Sequence, residues 1–164
     1  MIIQPMNTSD LDAILEIERT SFLHPWSRES FLSEMKNRNA RNYIITNDPG
    51  NPMEMSILRS VYGYACFNVA ADELHLLKMA IKPEMRQKKV ATRLLQECLS
   101  QAASESLEYV FLEVRRTNKT AILLYEKLGF CLIAVRPAYY PENSGKREDA
   151  LIMRKILKGG NTWL

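Results

Sequence analysis

The sequence predicts a single α+β domain, on three observations. Stretches of alternating apolar and polar residues are interleaved with stretches whose apolar residues recur at helical spacing, and no internal repeat or linker separates them. The chain has 164 residues, 46% of them apolar types and 25% charged, with 6 Gly and 7 Pro, an ordinary globular balance. Folding a chain of this length buries roughly 70% of the unfolded surface, so a core forms without disulfides or metals. The expected domain covers residues 1–157, with residues 158–164 a loose tail.

The elements follow in order. Ile2 to Met6 reads as a short strand, and Thr8-Ser9-Asp10 offers N-caps for a helix carrying Leu11, Ile14, Leu15, Ile17 and Glu18 on one side. His24-Pro25-Trp26-Ser27 breaks that helix, and Ser27 caps a second one with Phe31, Leu32 and Met35 as its apolar face. A strand at about Asn42–Thr46 runs into the turn-rich Asn47-Asp48-Pro49-Gly50-Asn51-Pro52. Strands around Ile57–Val69 and Glu73–Ile81 meet near Ala70-Ala71-Asp72, and Pro83 ends the second. Lys88 to Glu105 is a long helix with Val90, Leu94, Leu95, Cys98, Leu99 and Ala102 on one face. In the strand Tyr109–Arg115, Val110, Leu112 and Val114 alternate with Phe111, Glu113 and Arg115. Asn118 caps a helix striped by Ala121, Leu124, Tyr125 and Leu128 and closed by Gly129. Phe130–Ala134 and Ala150–Ile156 read as last strands around a Pro/Asn/Gly loop.

Several function classes are disfavoured. No apolar run approaches the roughly 20 residues of a membrane span. Met1-Ile2-Ile3-Gln4-Pro5 lacks the layout of a signal peptide, which points to a soluble cytoplasmic protein. Cys66, Cys98 and Cys131 are odd in number and form no CxxC pair, so reduced core thiols are expected. His24 and His75 have no clustered partners, so no metal site is expected, and no GxSxG marks a nucleophilic serine. The net charge of +3 does not call for direct nucleic-acid binding.

The segment from Leu74 to Gly129 carries the chemistry. A strand ends at Ile81, and the basic run Arg86-Gln87-Lys88-Lys89 leads into a long helix. Amide N–H groups at a helix start attract an anion, and Arg86, Lys88 and Lys89 add charge there. On spacing alone this is a phosphate site or merely a solvated basic helix end. Glu113, an acid in a Val/Leu/Phe-rich strand, is either a surface residue or a cleft carboxylate.

The stretch Met79-Ala80-Ile81-Lys82-Pro83-Glu84-Met85-Arg86-Gln87-Lys88-Lys89-Val90-Ala91-Thr92-Arg93-Leu94-Leu95 resembles motif A of the GNAT superfamily of N-acetyltransferases. That motif has Gln/Arg-x-x-Gly-x-Gly/Ala after a strand. Leu112-Glu113-Val114-Arg115, Asn118, Leu124-Tyr125-Glu126, Leu128-Gly129-Phe130, Tyr139-Tyr140-Pro141 and Arg147-Glu148-Asp149-Ala150 are similar to the RimI branch, as is Phe22-Leu23-His24-Pro25-Trp26-Ser27. RimI enzymes acetylate the N-terminal amine of a ribosomal protein. The likeness spans about residues 2–157 and is weak over 40–60.

The resemblance implies a mixed, mostly antiparallel seven-stranded sheet, splayed in the middle, with helices on both faces. It implies acetyl-CoA as cosubstrate and the N-terminal segment of a protein, a ribosomal one, as acceptor. Met79, Ala80 and Ile81 would pair with the pantetheine arm through their backbone, and one N–H there would hold the thioester oxygen. Arg86 and the amides of Gln87, Lys88, Lys89, Val90, Ala91 and Thr92 would cradle the pyrophosphate, with Asn118 on the cofactor arm. Glu113 would be the general base, acting through water, and Tyr125 the general acid that protonates the departing thiolate. Trp26, Arg115, Tyr139 and Tyr140 would line the peptide groove. Lys89 stands where the motif has its first Gly. The expectation is that it keeps a helical φ and swings its side chain out to a phosphate.

An α-amine with pKa near 8 costs about 1.4 kcal/mol to deprotonate at pH 7, against about 4.6 for a lysine side chain. One carboxylate base handles the first more readily, which favours an N-terminal substrate. The other readings are acetylation of a small-molecule amine or lysine, and a non-catalytic CoA-binding module.

Overall fold

The computed structural model describes residues 1–47, 60–142 and 145–157. The strands are β1 (Ile2–Pro5), β2 (Ala40–Thr46), β3 (Val61–Ala70), β4 (Glu73–Ile81), β5 (Tyr109–Arg115), β6 (Cys131–Pro141) and β7 (Arg147–Ile156). The helices among the described residues are α1 (Leu11–Ser21), α2 (Arg28–Lys36), α3 (Val90–Ser104) and α4 (Lys119–Lys127), with short 3₁₀ turns at Thr8–Asp10 and Pro83–Met85. The seven strands form one mixed sheet in the order β1-β2-β3-β4-β5-β7-β6. The expected turn at Asp48–Pro52, the strand start at Ile57 and the tail at 158–164 lie outside the described residues. No described helix is long and apolar enough to cross a membrane.

The chain divides into two units, Met1–Asn68 with Lys78–Cys98, and Val69–Leu77 with Leu99–Leu164. In the first, β1 and β3 flank β2 in antiparallel register, with Ile3 opposite Ile45 and Tyr43 opposite Ala65. The α1 stripe is buried as its spacing predicts, and it includes Glu18. Asp10 is the N-cap of α1, within the expected Thr8-Ser9-Asp10, but the side-chain capping hydrogen bonds belong to the 3₁₀ turn Thr8–Asp10 that precedes it, whose N-cap is Asn7. Asn7 accepts from Ser9 N at 2.9 Å while the Asp10 carboxylate accepts from Asn7 N at 2.9 Å, a reciprocal capping box worth about 1 kcal/mol. Ser27 caps α2 by accepting from Ser30 N at 3.2 Å. Met6, Leu11, Ile14, Phe31, Ile44, Tyr64 and Ala80 form the core of this unit, with Phe22 and Trp26 packed against it. Gly63 lets β4 come close. A Cβ there would lie 2.7 Å from Ala80 O and 2.5 Å from Ile81 Cδ1.

In the second unit β5 alternates as read, with Val110, Leu112 and Val114 buried and Tyr109, Phe111, Glu113 and Arg115 half-buried. It pairs parallel with β4 and antiparallel with β7, which places Glu113 opposite Ile152. β6 corrects the expected loop after Ala134, for it continues to Pro141. Pro137 is tolerated because β6 is the last strand of the sheet, where one row of N–H groups has no ladder partner to lose. The register shifts between Arg136 and Tyr140, and Ala138 sits at φ 48°, its N–H donated to Asp149 Oδ1 at 3.0 Å. All three cysteines are free. Cys66 and Cys98 are core residues, but Cys131 is exposed, because it opens this outer strand.

Candidate active site

The parallel ladder of β4 and β5 is short. Glu73, Leu74, His75 and Leu76 face Tyr109, Val110, Phe111 and Leu112, and the register ends there. β4 continues for five further residues, from Leu77 to Ile81. Met79 is half-buried, and Ala80 and Ile81 are buried. Lys82 N donates to Tyr62 O at 2.8 Å as the strand ends.

The loop after β4 is shaped by Arg86. Its Nε donates to Ile81 O at 3.1 Å and its Nη2 to Ser21 Oγ at 2.9 Å, so the guanidinium staples the loop to the end of β4 and to α1. Gln87 and Lys89 both adopt φ 60°. The expected helical φ at Lys89 is therefore wrong. Residues 86–89 form a turn, and α3 starts at Val90 rather than Lys88. A left-handed residue costs roughly 1–2 kcal/mol when it carries a Cβ. It is accepted here because the turn must bring the chain from an extended strand into α3. Arg93 N donates to Lys89 O at 3.0 Å, so the amides of Val90, Ala91 and Thr92 precede the first helical hydrogen bond. With the exposed Lys88 and Lys89 they make a donor set suited to a diphosphate. Trp26 is half-buried, its N–H donated to Glu18 Oε1 at 2.8 Å.

The remaining candidates lie in the second unit. Glu113 Oε1 is 3.0 Å from Arg136 Nη1, with the carboxylate side chain 30% exposed. Arg136 also lies over the Tyr139 ring, 4.8 Å from its centroid. Arg115 donates to Glu148 Oε2 at 3.1 Å and to Pro141 O at 3.0 Å, and its guanidinium covers Tyr140 at 4.5 Å. The Tyr139 and Tyr140 rings meet edge-on at 5.0 Å. Burial pushes the Tyr140 phenol up to about 12, helped by the Glu113 carboxylate. Tyr125 is buried against Phe130, ring centroids 5.8 Å apart, and burial together with the Tyr140 phenol raises it further. Asn118 caps α4, its Oδ1 accepting from Ala121 N at 3.2 Å. Gly129 at φ 86° ends the helix with its N–H on Glu126 O, so the backbone reverses right after Tyr125's turn.

The sequence reading missed Arg136 and Gly63, which no local pattern marks. It also missed the pairing of Lys78 with Glu18, although an acid on the apolar stripe of α1 was a signal.

The Acetyltransferase (GNAT) family profile matches residues 11–130. The chain belongs to that family. It is an N-acetyltransferase of GNAT fold. It is 32% identical over 151 residues to the ribosomal protein bS18-alanine N-acetyltransferase of Escherichia coli, a match covering 92% of this chain and 94% of the relative. The enzyme of the same name from Haemophilus influenzae is 30% identical over 152 residues, covering 93% and 96%. The crystal structure of the ribosomal-protein-S18-alanine N-acetyltransferase from Escherichia coli superposes with a TM-score of 0.83 at 30% identity, covering 99% of both chains. The Ard1 structure from Thermoplasma volcanium, at 24% identity and a TM-score of 0.80, shares the fold.

Proposed function

We propose that this protein is a single-domain N-alpha-acetyltransferase that moves an acetyl group from acetyl-CoA directly to the N-terminal amine of a protein, with the alanine of ribosomal protein S18 as the substrate. The observation that carries this reading is the 32% identity to a bS18-alanine N-acetyltransferase across 92% of the chain.

The residues fit the roles that the family resemblance suggests. Left-handed Gln87 and Lys89 and the first amides of α3 are suited to the pyrophosphate, with the lysines adding charge. Arg86 serves this site by holding the loop to Ile81 O and Ser21 rather than by reaching for a phosphate. The backbone of Met79, Ala80 and Ile81 lies past the last β4–β5 pair, Leu76 with Leu112, and pairs with the pantetheine arm, Ile81 O being held by Arg86 Nε. Asn118 caps α4 and also reaches the cofactor arm.

Glu113 takes a proton from the incoming ammonium through water. Its ion pair with Arg136 fixes the carboxylate in one orientation and leaves its second oxygen for that water. Tyr125 keeps its proton at neutral pH, since its environment favours the neutral phenol, and it donates that proton to the thiolate as the C–S bond breaks. An N–H in Met79–Ile81 supports the oxyanion. Trp26, Arg115, Tyr139 and Tyr140 contact the acceptor peptide. Direct transfer uses no acyl-enzyme, so the three cysteines are dispensable.

The test is a peptide with the S18 N-terminus, free or N-terminally blocked and carrying an internal lysine, with thiol release as readout. The free peptide is expected to turn over and the blocked one to be inert. Equal rates would remove the N-terminal assignment, and no release with either would favour a binding module.

A further inference from the structure

The most deeply buried carboxyl side chain among the described residues of the first unit has no part in the chemistry above. Glu18 is fully buried on α1, and its Oε1 lies 2.9 Å from the Nζ of Lys78, a side chain only 13% exposed on β4. The hydroxyl of Tyr64, on β3, donates to Glu18 Oε2. A buried pair of this kind seldom adds stability beyond what apolar residues of the same volume supply. Its contribution lies in geometry, and both partners act on one segment.

That segment is residues 22–26, which has no helix or strand of its own. Glu18 Oε1 accepts from Trp26 N at 2.8 Å. Lys78 Nζ donates to His24 O at 3.5 Å and sits over the Phe22 ring, 3.9 Å from its centroid, and over the Trp26 ring at 5.6 Å. The Trp26 ring is wedged edge-on against Phe31 at 5.3 Å, and Phe31 against Tyr64 at 5.4 Å. A carboxylate thus holds one amide of the segment while an ammonium holds one carbonyl and two aromatic faces. The solvent side of the segment presents Leu23, half exposed, with His24 and Pro25.

We propose that Glu18 and Lys78 are positioning residues for the acceptor: they fix the conformation of residues 22–26, and through it the affinity for the first residues of the substrate peptide. The inference rests on the reading that Trp26 lines the peptide groove. Glu18 and Lys78 contact each other, Tyr64 and residues of the 22–26 segment, none of them assigned above to acetyl-CoA or to the reacting atoms, so their loss acts on peptide binding and spares the chemical step.

The experiment is steady-state kinetics on the full chain carrying Glu18→Gln, Lys78→Met, the double substitution, or Tyr64→Phe, varying peptide and acetyl-CoA separately. The single changes at the pair are expected to raise the peptide KM about tenfold, with kcat within about twofold and the acetyl-CoA KM unchanged. Tyr64→Phe keeps the ion pair and loses one donor, so a smaller rise is expected. It remains informative if a lone buried charge prevents folding. A fall in kcat at unchanged peptide KM in folded variants overturns the proposal, as does an unchanged KM. Trp26 fluorescence, read in a Trp163→Phe background, separates this proposal from the reading beneath it. Greater acrylamide quenching in the variants supports positioning even if the wild type transfers no acetyl group, and unchanged quenching overturns it.

Discussion

Glu113 and Tyr125 show how much a single side chain depends on its surroundings. Glu113 sits on the half-buried face of β5, tied to Arg136. Replacing it with Gln keeps the shape and removes the proposed base, so kcat is expected to fall by about 10²–10⁴ with the acetyl-CoA affinity retained. Tyr125→Phe should lower kcat on the same scale, and stopped-time thiol assays check both. The phenols also predict a stability trend. Tyr140, pushed up to about 12, and Tyr125, raised as well, bind their protons more tightly folded than unfolded. Their contribution is therefore complete below about pH 10, the ordinary phenol value, and is lost as the pH climbs from there through about 12. Urea melts across that interval should show falling stability, with tyrosinate absorbance appearing late for these two rings. A stability that rises with pH there would contradict the burial of both phenols.

At the scale of elements, β4 and the turn that follows it bear two opposite constraints. Lys89 is held at φ 60°, where glycine is at ease. Lys89→Gly is expected to stabilise the protein by about 0.5–1 kcal/mol, seen as a Tm rise of about 1–4 °C, while removing one cation from the proposed diphosphate site. Gly63 is the converse case. An added Cβ would meet backbone at Ala80 O, 2.7 Å away, so Gly63→Ala must push β4 aside. A loss of about 1–3 kcal/mol in denaturant melts is expected, with weaker acetyl-CoA binding because Ala80 and Ile81 shift. β6 adds a different lesson. Its Pro137 and left-handed Ala138 belong to an outer strand with a register shift, which turns Tyr139 and Tyr140 into strand residues held by Arg136 and Arg115.

For the whole molecule the most direct check is ligand stabilisation. Acetyl-CoA at about 100 times its Kd adds about 2.7 kcal/mol to the folded state. For a chain of 164 residues that corresponds to a Tm rise on the order of 5 °C or more. Free CoA should give a similar shift, since the diphosphate and pantetheine are common to both. No shift with either would remove the acetyl-CoA assignment.

Periodicity alone was enough for the elements whose faces differ in polarity. The buried residues of α1 and α3 and the alternation of β5 are those that the spacing names, because one buried face imposes one register on the pattern. Family likeness carried the assignment of chemistry to Glu113 and Tyr125. What sequence spacing could not supply were contacts between residues far apart in the chain. Lys78 meets Glu18, Arg136 meets Glu113, and Gly63 abuts Ala80 only after the strands have aligned. The φ of Lys89 was equally hidden. A backbone angle there answers to how a strand must turn into a helix, and the lysine's own preference for a helical φ is overruled by that geometry.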